Sequence, residues 1–181
     1  MIVIPLAVEG VLLRRGISKG DTVADLAGET IVLDETKKGS FQVEARAGSS
    51  TFLIDEPVAA GGKGSGSNPY DLLSAAIGSC SLMTIRLYAA RKNWPLERVR
   101  VKVTHHRDDL KDRDRFVREI QLIGPLDEAQ RTRLLAISMR CPVHLTMERG
   151  SEVETVLMPE TPAVPTTLCE HARDMNEACR D

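Results

Sequence analysis

The chain has 181 residues, a size that suits one domain, and 42% of them are hydrophobic, enough to fill a core and to exclude disorder along the whole length. A formal charge of −2 and an aromatic content of 3% exclude the basic surplus and the stacking platforms on which nucleic-acid binding rests. No run of about 18 consecutive apolar residues marks a membrane span, so no membrane partner is expected. The N-terminal MIVIPLAVEGVLLRRG places its positive charges after its apolar run, and Glu9 interrupts that run; it reads as folded chain and not as an export signal. The expected compartment is therefore the reducing cytoplasm, where the four cysteines are more often catalytic, metal-bound or inert than bridged.

Residues 31–37, 41–47 and 51–55 carry β-branched and alternating residues separated by turn-forming Lys-Gly-Ser and Ala-Gly-Ser-Ser, which predicts a meander of strands. The stretch 56–67 is dense in glycine. Its GGKGSGS lacks the residue order of a phosphate-cradling loop and reads as a mobile connector. Asn68 can then cap a helix in which Pro69 fits the first position and Asp71 completes a capping box. That helix is expected to reach about Arg91 and to bury a stripe of Leu72, Leu73, Ala76, Ile77, Cys80, Met83, Thr84 and Leu87. Small residues beside the stripe, Ser74, Ala75, Gly78, Ser79 and Ser81, invite close approach by another element and predict a central position.

RVRVKVTHHR and RFVREIQLIG alternate with period two and predict an antiparallel pair, joined by the charged stretch from Asp108 to Asp114. Asp127 with Gln130 opens a second helix that runs through Leu134, Leu135 and Ile137 toward Arg140. Pro142 interrupts it and pushes Cys141 out of the helical region, so that Cys141 can cap a short helix of its own. EVETVLM predicts a last strand, PETPAVPTT a proline-rich linker, and residues 168–181 a short helix on a tail.

Two cysteines stand out. Cys80 falls on the apolar stripe, where a thiol often acts as a small hydrophobe, whereas Cys141 at a helix start faces unpaired N–H groups that favour thiolate. A thiolate attacks a peroxide O–O bond, and the resulting sulfenic acid condenses with a second thiol to a disulfide. His105 and His106 are adjacent on a strand and point to opposite faces, which predicts structural roles. His144, one turn beyond Cys141, either hydrogen-bonds in place or stabilises a thiolate. Cys169, His171 and Cys179 have no four-ligand spacing, so no metal site is expected and they read as part of a loose tail with unpaired thiols.

The stretch from Asp55 to Val103, DEPVAAGGKGSGSNPYDLL through RVRVKV, resembles the OsmC/Ohr family, as does MRCPVHLTM with its Cys-Pro pair. The resemblance combines a glycine-rich loop, an Asn-Pro helix start, a helical cysteine and a second cysteine before proline. It covers residues 31–158, with 1–30 as an N-terminal extension and 159–181 as linker and tail. It implies an α+β fold whose antiparallel sheets wrap long central helices in an intertwined homodimer. It also implies that Cys80 attacks an organic hydroperoxide, that Cys141 resolves the product to a disulfide, and that a dithiol such as a lipoylated protein reduces it, with no cofactor. The family activates its thiolate with a strand arginine and a Glu directly after Asn-Pro. Here Tyr70 occupies that position, Asp71 is one step later, and Arg46 is the nearest strand arginine. Leu73, Ile77, Met83 and Tyr70 are the expected substrate wall. The alternative is a non-catalytic binding protein or a redox sensor that uses the same dimer-interface pocket for a small apolar ligand.

Overall fold

The computed structural model describes residues 29–157 and 170–180; the expectations for residues 1–28, 158–169 and 181, Cys169 included, lie outside the described residues. Three antiparallel strands, β1 (Val32–Glu35), β2 (Val43–Ala47) and β3 (Ser50–Ile54), form the expected meander in that order, with Val32 opposite Arg46 and Val43 opposite Ile54. Gly48, at φ 57°, supplies the left-handed turn that a two-residue hairpin connection requires.

The glycine-rich stretch is not the loose connector that its composition suggests. Asp55, only 1% exposed, turns its carboxylate into the loop and accepts from the Ser65 hydroxyl (2.7 Å) and from the backbone N–H groups of Glu56 (2.9 Å), Lys63 (3.1 Å) and Ser65 (3.2 Å). These donors, the Ser65 hydroxyl foremost, hold the carboxyl below the usual carboxylate range. A Cβ on Gly62 would lie 1.9 Å from the Glu56 carbonyl oxygen, and one on Gly66 would lie 2.1 Å from that of Leu53. The glycines therefore let the loop fold back on its own backbone.

Helix α1 (Pro69–Arg91) begins with the expected capping box: the Asn68 side chain accepts from the N–H groups of Tyr70 and Asp71, and the Asp71 carboxylate accepts from the Asn68 N–H. Strands β4 (Arg98–His106) and β5 (Arg115–Ile123) pair antiparallel across α1, with Val103 opposite Arg118. Gly78 permits this approach, since a Cβ there would sit 3.0 Å from a Val103 methyl. Helix α2 (Glu128–Ser138) starts at the Asp127/Gln130 box, α3 (Pro142–Arg149) follows Cys141, and α4 (Glu170–Ala178) lies near the C-terminus. The core joins Ile85, Tyr88 and Ala89 of α1 to Leu96, Val99, Leu126, Leu134 and Ile137.

Three expectations are corrected here. Leu73 (46% exposed) and Met83 (48%) lie open in this chain, while Ile85, Tyr88 and Ala89, outside the expected stripe, fill the core. Because α1 is apolar around much of its circumference, its sequence periodicity does not single out one face. The same composition makes α1 the one helix among the described residues long and apolar enough to cross a bilayer, although it packs on β4, α2 and α3. Residues 151–157 form no strand and pair with neither sheet of the described chain. Cys179 does not dangle: it is buried in the core cluster with its thiol on the Thr84 carbonyl (3.6 Å), and the Arg91 guanidinium donates to the Asn176 carbonyl (3.1 Å), which fastens α4 to α1.

Leu134→Ala, at a fully buried position, is expected to cost about 2–5 kcal/mol in denaturant unfolding. Asp55→Asn is expected to speed hydrogen exchange at the Lys63 and Ser65 amides while leaving the middle of α1 protected. Since folding lowers this carboxyl's pKa, its stabilisation is present above the unfolded value of about 4 and is lost as the pH falls through the folded one. An acid titration of loop exchange in the wild-type chain, flat in Asp55→Asn, checks the sign.

Candidate active site

The site is built around a chain break that proline enforces. Pro142 has no N–H and restricts the residue before it, so Cys141 takes φ −64°, ψ 138° and becomes the N-cap of α3. Its sulfur accepts from the His144 N–H at 3.4 Å. The next free amide of the same turn, that of Val143, points at the sulfur of Cys80 in α1 at 3.5 Å. One helix start therefore serves two thiols drawn from different helices. Both are sealed from solvent, at 1% exposure for Cys80 and 0% for Cys141, and neither is in a disulfide.

Around Cys141 the polar contacts continue. The Ser81 hydroxyl lies 3.4 Å from its sulfur and 2.7 Å from the Ile77 carbonyl, so its single proton can serve either acceptor. Arg118 reaches in from β5 and donates to the Ser81 oxygen, to the Ser138 carbonyl (3.1 Å) and to His144 Nδ1 (3.0 Å). Donation from Arg118 leaves the Ser81 proton free to turn to sulfur when Cys141 ionises. Cys80 is the strongest influence lowering the Cys141 thiol, followed by the Ser81 hydroxyl, the His144 amide and the Arg118 charge; together they outweigh burial. The neighbouring Cys141 and burial push Cys80 the other way. The pair therefore holds its negative charge on Cys141, with Cys80 as the protonated partner.

On its other side Cys80 meets the tail. His171 of α4 places Nε2 3.3 Å from the Cys80 sulfur, while its backbone N–H donates to the Glu29 carboxylate at 3.3 Å.

The expected site residues are only partly brought together. Cys80, Cys141 and buried Ile77 share one region, and His144 adjoins it. Leu73 and Met83 lie two turns before and one turn after Cys80 on the same side of α1, facing open space. Arg46 is held on exposed β2 by Asp34 and by Glu44 (2.8 Å) and not by a cysteine, and these carboxylates, Asp34 foremost, raise its pKa. Asp71 is occupied by the capping box. Tyr70 stacks on His105, ring centroids 4.5 Å apart, and accepts from Arg107 at 2.8 Å. His105 binds Asp114 and His106 binds Asp108, from opposite faces of β4. Among the described residues no His, Cys, Asp or Glu cluster could hold a metal ion.

Ser81, Arg118 and the position of His171 escape sequence reasoning. Arg118 did carry a signal, since it falls in phase with Phe116, Ile120 and Leu122 on the half-buried face of an alternating strand. A lone charge at such a position needs partners. Ser81 was hidden among small residues, and His171 lies 91 residues from Cys80 in sequence.

Residues 62–156, which include both cysteines, match the family model described as OsmC-like protein. The chain belongs to the OsmC/Ohr family. Solved structures share this OsmC-like fold. A Psychrobacter arcticus protein titled for osmotic stress induction and a detoxification response is 21% identical, with a TM-score of 0.56 over 75% of this chain and 91% of its own. An OsmC-like protein of Mycoplasma pneumoniae is 21% identical, with a TM-score of 0.55 over 68% of this chain and 87% of its own. An organic hydroperoxide resistance protein OsmC of Legionella pneumophila is 22% identical, with a TM-score of 0.52 over 67% and 90%. No curated protein matches the sequence. The fold is thus α+β with small antiparallel sheets on helices, as the resemblance implied.

Ultraviolet thiolate absorbance across a pH titration is expected to show one thiol of this OsmC-like chain ionising below the free-cysteine value of about 8.5. Cys141→Ser removes that step. Ser81→Ala moves it to higher pH, since the thiolate loses a hydroxyl donor.

Proposed function

We propose that the chain reduces organic hydroperoxides with the Cys80–Cys141 pair. The observation that carries this reading is the shared helix start, which holds two buried thiols from different helices under one pair of backbone donors. The ionised Cys80 sulfur takes the terminal oxygen of the hydroperoxide, the O–O bond breaks, and the alcohol leaves after gaining a proton. Cys80 is then a sulfenic acid. Cys141 attacks its sulfur, water departs and a Cys80–Cys141 disulfide remains. A small dithiol, a lipoylated protein being the expected kind, returns both thiols and becomes a disulfide itself, which suits a reducing compartment such as the cytoplasm.

Apolar Ile77, Leu73 and Met83, on the Cys80 side of α1, favour an alkyl or aryl hydroperoxide over hydrogen peroxide. The family's organic hydroperoxide resistance members, the Legionella protein among them, support the same substrate class. The exposed apolar residues of α1 and the unpaired 151–157 stretch also favour a homodimer in which a second copy covers them. A second reading reverses the thiols: the donors gathered on Cys141 favour it as the attacking sulfur, with Cys80 resolving.

Purified protein supplied with dihydrolipoamide is expected to consume cumene hydroperoxide faster than hydrogen peroxide, and to stop when either cysteine becomes serine. Single-turnover trapping with dimedone places the sulfenic acid on Cys80 in Cys141→Ser. A trapped Cys141 in Cys80→Ser, with Cys141→Ser inert, selects the reversed order. Absence of consumption in the wild type rejects the peroxidase and leaves the ligand-binding alternative. Light scattering is expected to return a dimer; a monomer contradicts the second-copy arrangement.

A further inference from the structure

We infer that His171, carried on the C-terminal helix α4, is the proton acceptor of Cys80. The inference rests on the hydroperoxide reading for the identity of the electrophile, but the removal of the Cys80 proton is needed for any electrophile and for either order of the two thiols.

The need comes from where Cys80 sits. Its sulfur is buried within α1 beside Cys141, and both the neighbour and the burial favour the protonated thiol. A thiol is a poor nucleophile until it loses its proton. The contacts available to that sulfur come from three elements. Thr84 of α1 is an uncharged neighbour whose hydroxyl donates to the Cys80 carbonyl (2.8 Å); α3 supplies the Val143 N–H and, at its cap, Cys141; α4 supplies His171. Cys141 already holds the negative charge of the pair, with Cys80, Ser81, the His144 amide and the Arg118 charge around its sulfur. Arg46 and Asp71, the residues that the sequence put forward to activate Cys80, are tied to Asp34 and Glu44 and to the Asn68 cap. Among the described residues, the imidazole nitrogen 3.3 Å from the sulfur is the group placed to accept the proton.

The placement of His171 is fixed from several directions. Its own N–H is held by the Glu29 carboxylate, Asn176 one turn and more beyond it is held by Arg91, and Cys179 is buried against Thr84 of the helix that carries Cys80. A tail anchored at both ends across the reactive helix presents the ring to the same sulfur each time it docks.

Nε2 takes the Cys80 thiol proton; the thiolate displaces alkoxide from the hydroperoxide by taking its terminal OH; the imidazolium returns the proton to the alkoxide, which leaves as alcohol. His171 is neutral again at the end, and Cys80 is a sulfenic acid ready for Cys141.

The test is the alkylation rate of Cys80 by iodoacetamide, resolved by peptide mass spectrometry in the full chain, which does not depend on peroxide chemistry. In His171→Gln and His171→Asn the Cys80 rate at neutral pH is expected to fall about 100-fold, the scale of a lost general base. Added imidazole is expected to restore much of the rate in His171→Ala. Cys179 serves as an internal check, since it stays protected wherever α4 remains docked. An unchanged Cys80 rate in either variant with Cys179 still protected overturns the inference. So does a reduced rate in His171→Ala that imidazole does not restore. A His171-dependent alkylation rate in a wild-type chain that consumes no hydroperoxide upholds the base and rejects the hydroperoxide reading.

Discussion

The site depends on one covalent constraint, the proline that follows Cys141. It cannot donate to a preceding carbonyl, and it forces Cys141 into an extended conformation, so α2 ends and α3 begins anew within a few residues. A new helix start means unpaired N–H groups, and these aim at two sulfurs instead of one. A continuous helix through this point would have spent the same amides on its own carbonyls. The pairing of thiols from α1 and α3 follows from that break together with the packing of α1 beside α3.

Unequal hydrogen-bond donors make the buried pair chemically asymmetric. In water two free thiols would titrate near the same pH. Here the charge settles on the sulfur that has the donors, and the other keeps its proton. Arg118 supports that asymmetry from a distance: it satisfies Ser81, Ser138 and His144 at once, so β5, α1, α2 and α3 are all linked to one guanidinium beside Cys141. A guanidinium enclosed in this way has a hydrogen-bond acceptor on each side, which is why it is tolerated on a half-buried strand face. On the opposite side the tail helix closes over Cys80.

Local signals were the legible ones. The capping boxes at Asn68/Asp71 and Asp127/Gln130 fixed two helix starts, because the partners lie three residues apart and need nothing from the rest of the chain. Period-two alternation fixed β4 and β5, and the Cys-Pro step fixed the cap of α3. What could not be read was decided by tertiary packing. The buried face of α1 was ambiguous because apolar residues surround the helix, and the order in residues 56–67 exists only once Asp55 is enclosed by the amides it binds. Residues 151–157 have strand composition but pair with no strand of the described chain. His171 sits between two cysteines in sequence, yet space places it on a third, Cys80.

The chemistry of the site turns on whether Cys80 and Cys141 act as one redox unit. Peptide mapping after one equivalent of an organic hydroperoxide, with no reductant present, measures this directly. The arrangement predicts a single Cys80–Cys141 disulfide, with Cys179 recovered as a thiol from its place in the core. Recovery of Cys80 and Cys141 as unreacted thiols, or a disulfide that joins either of them to Cys179, would contradict it.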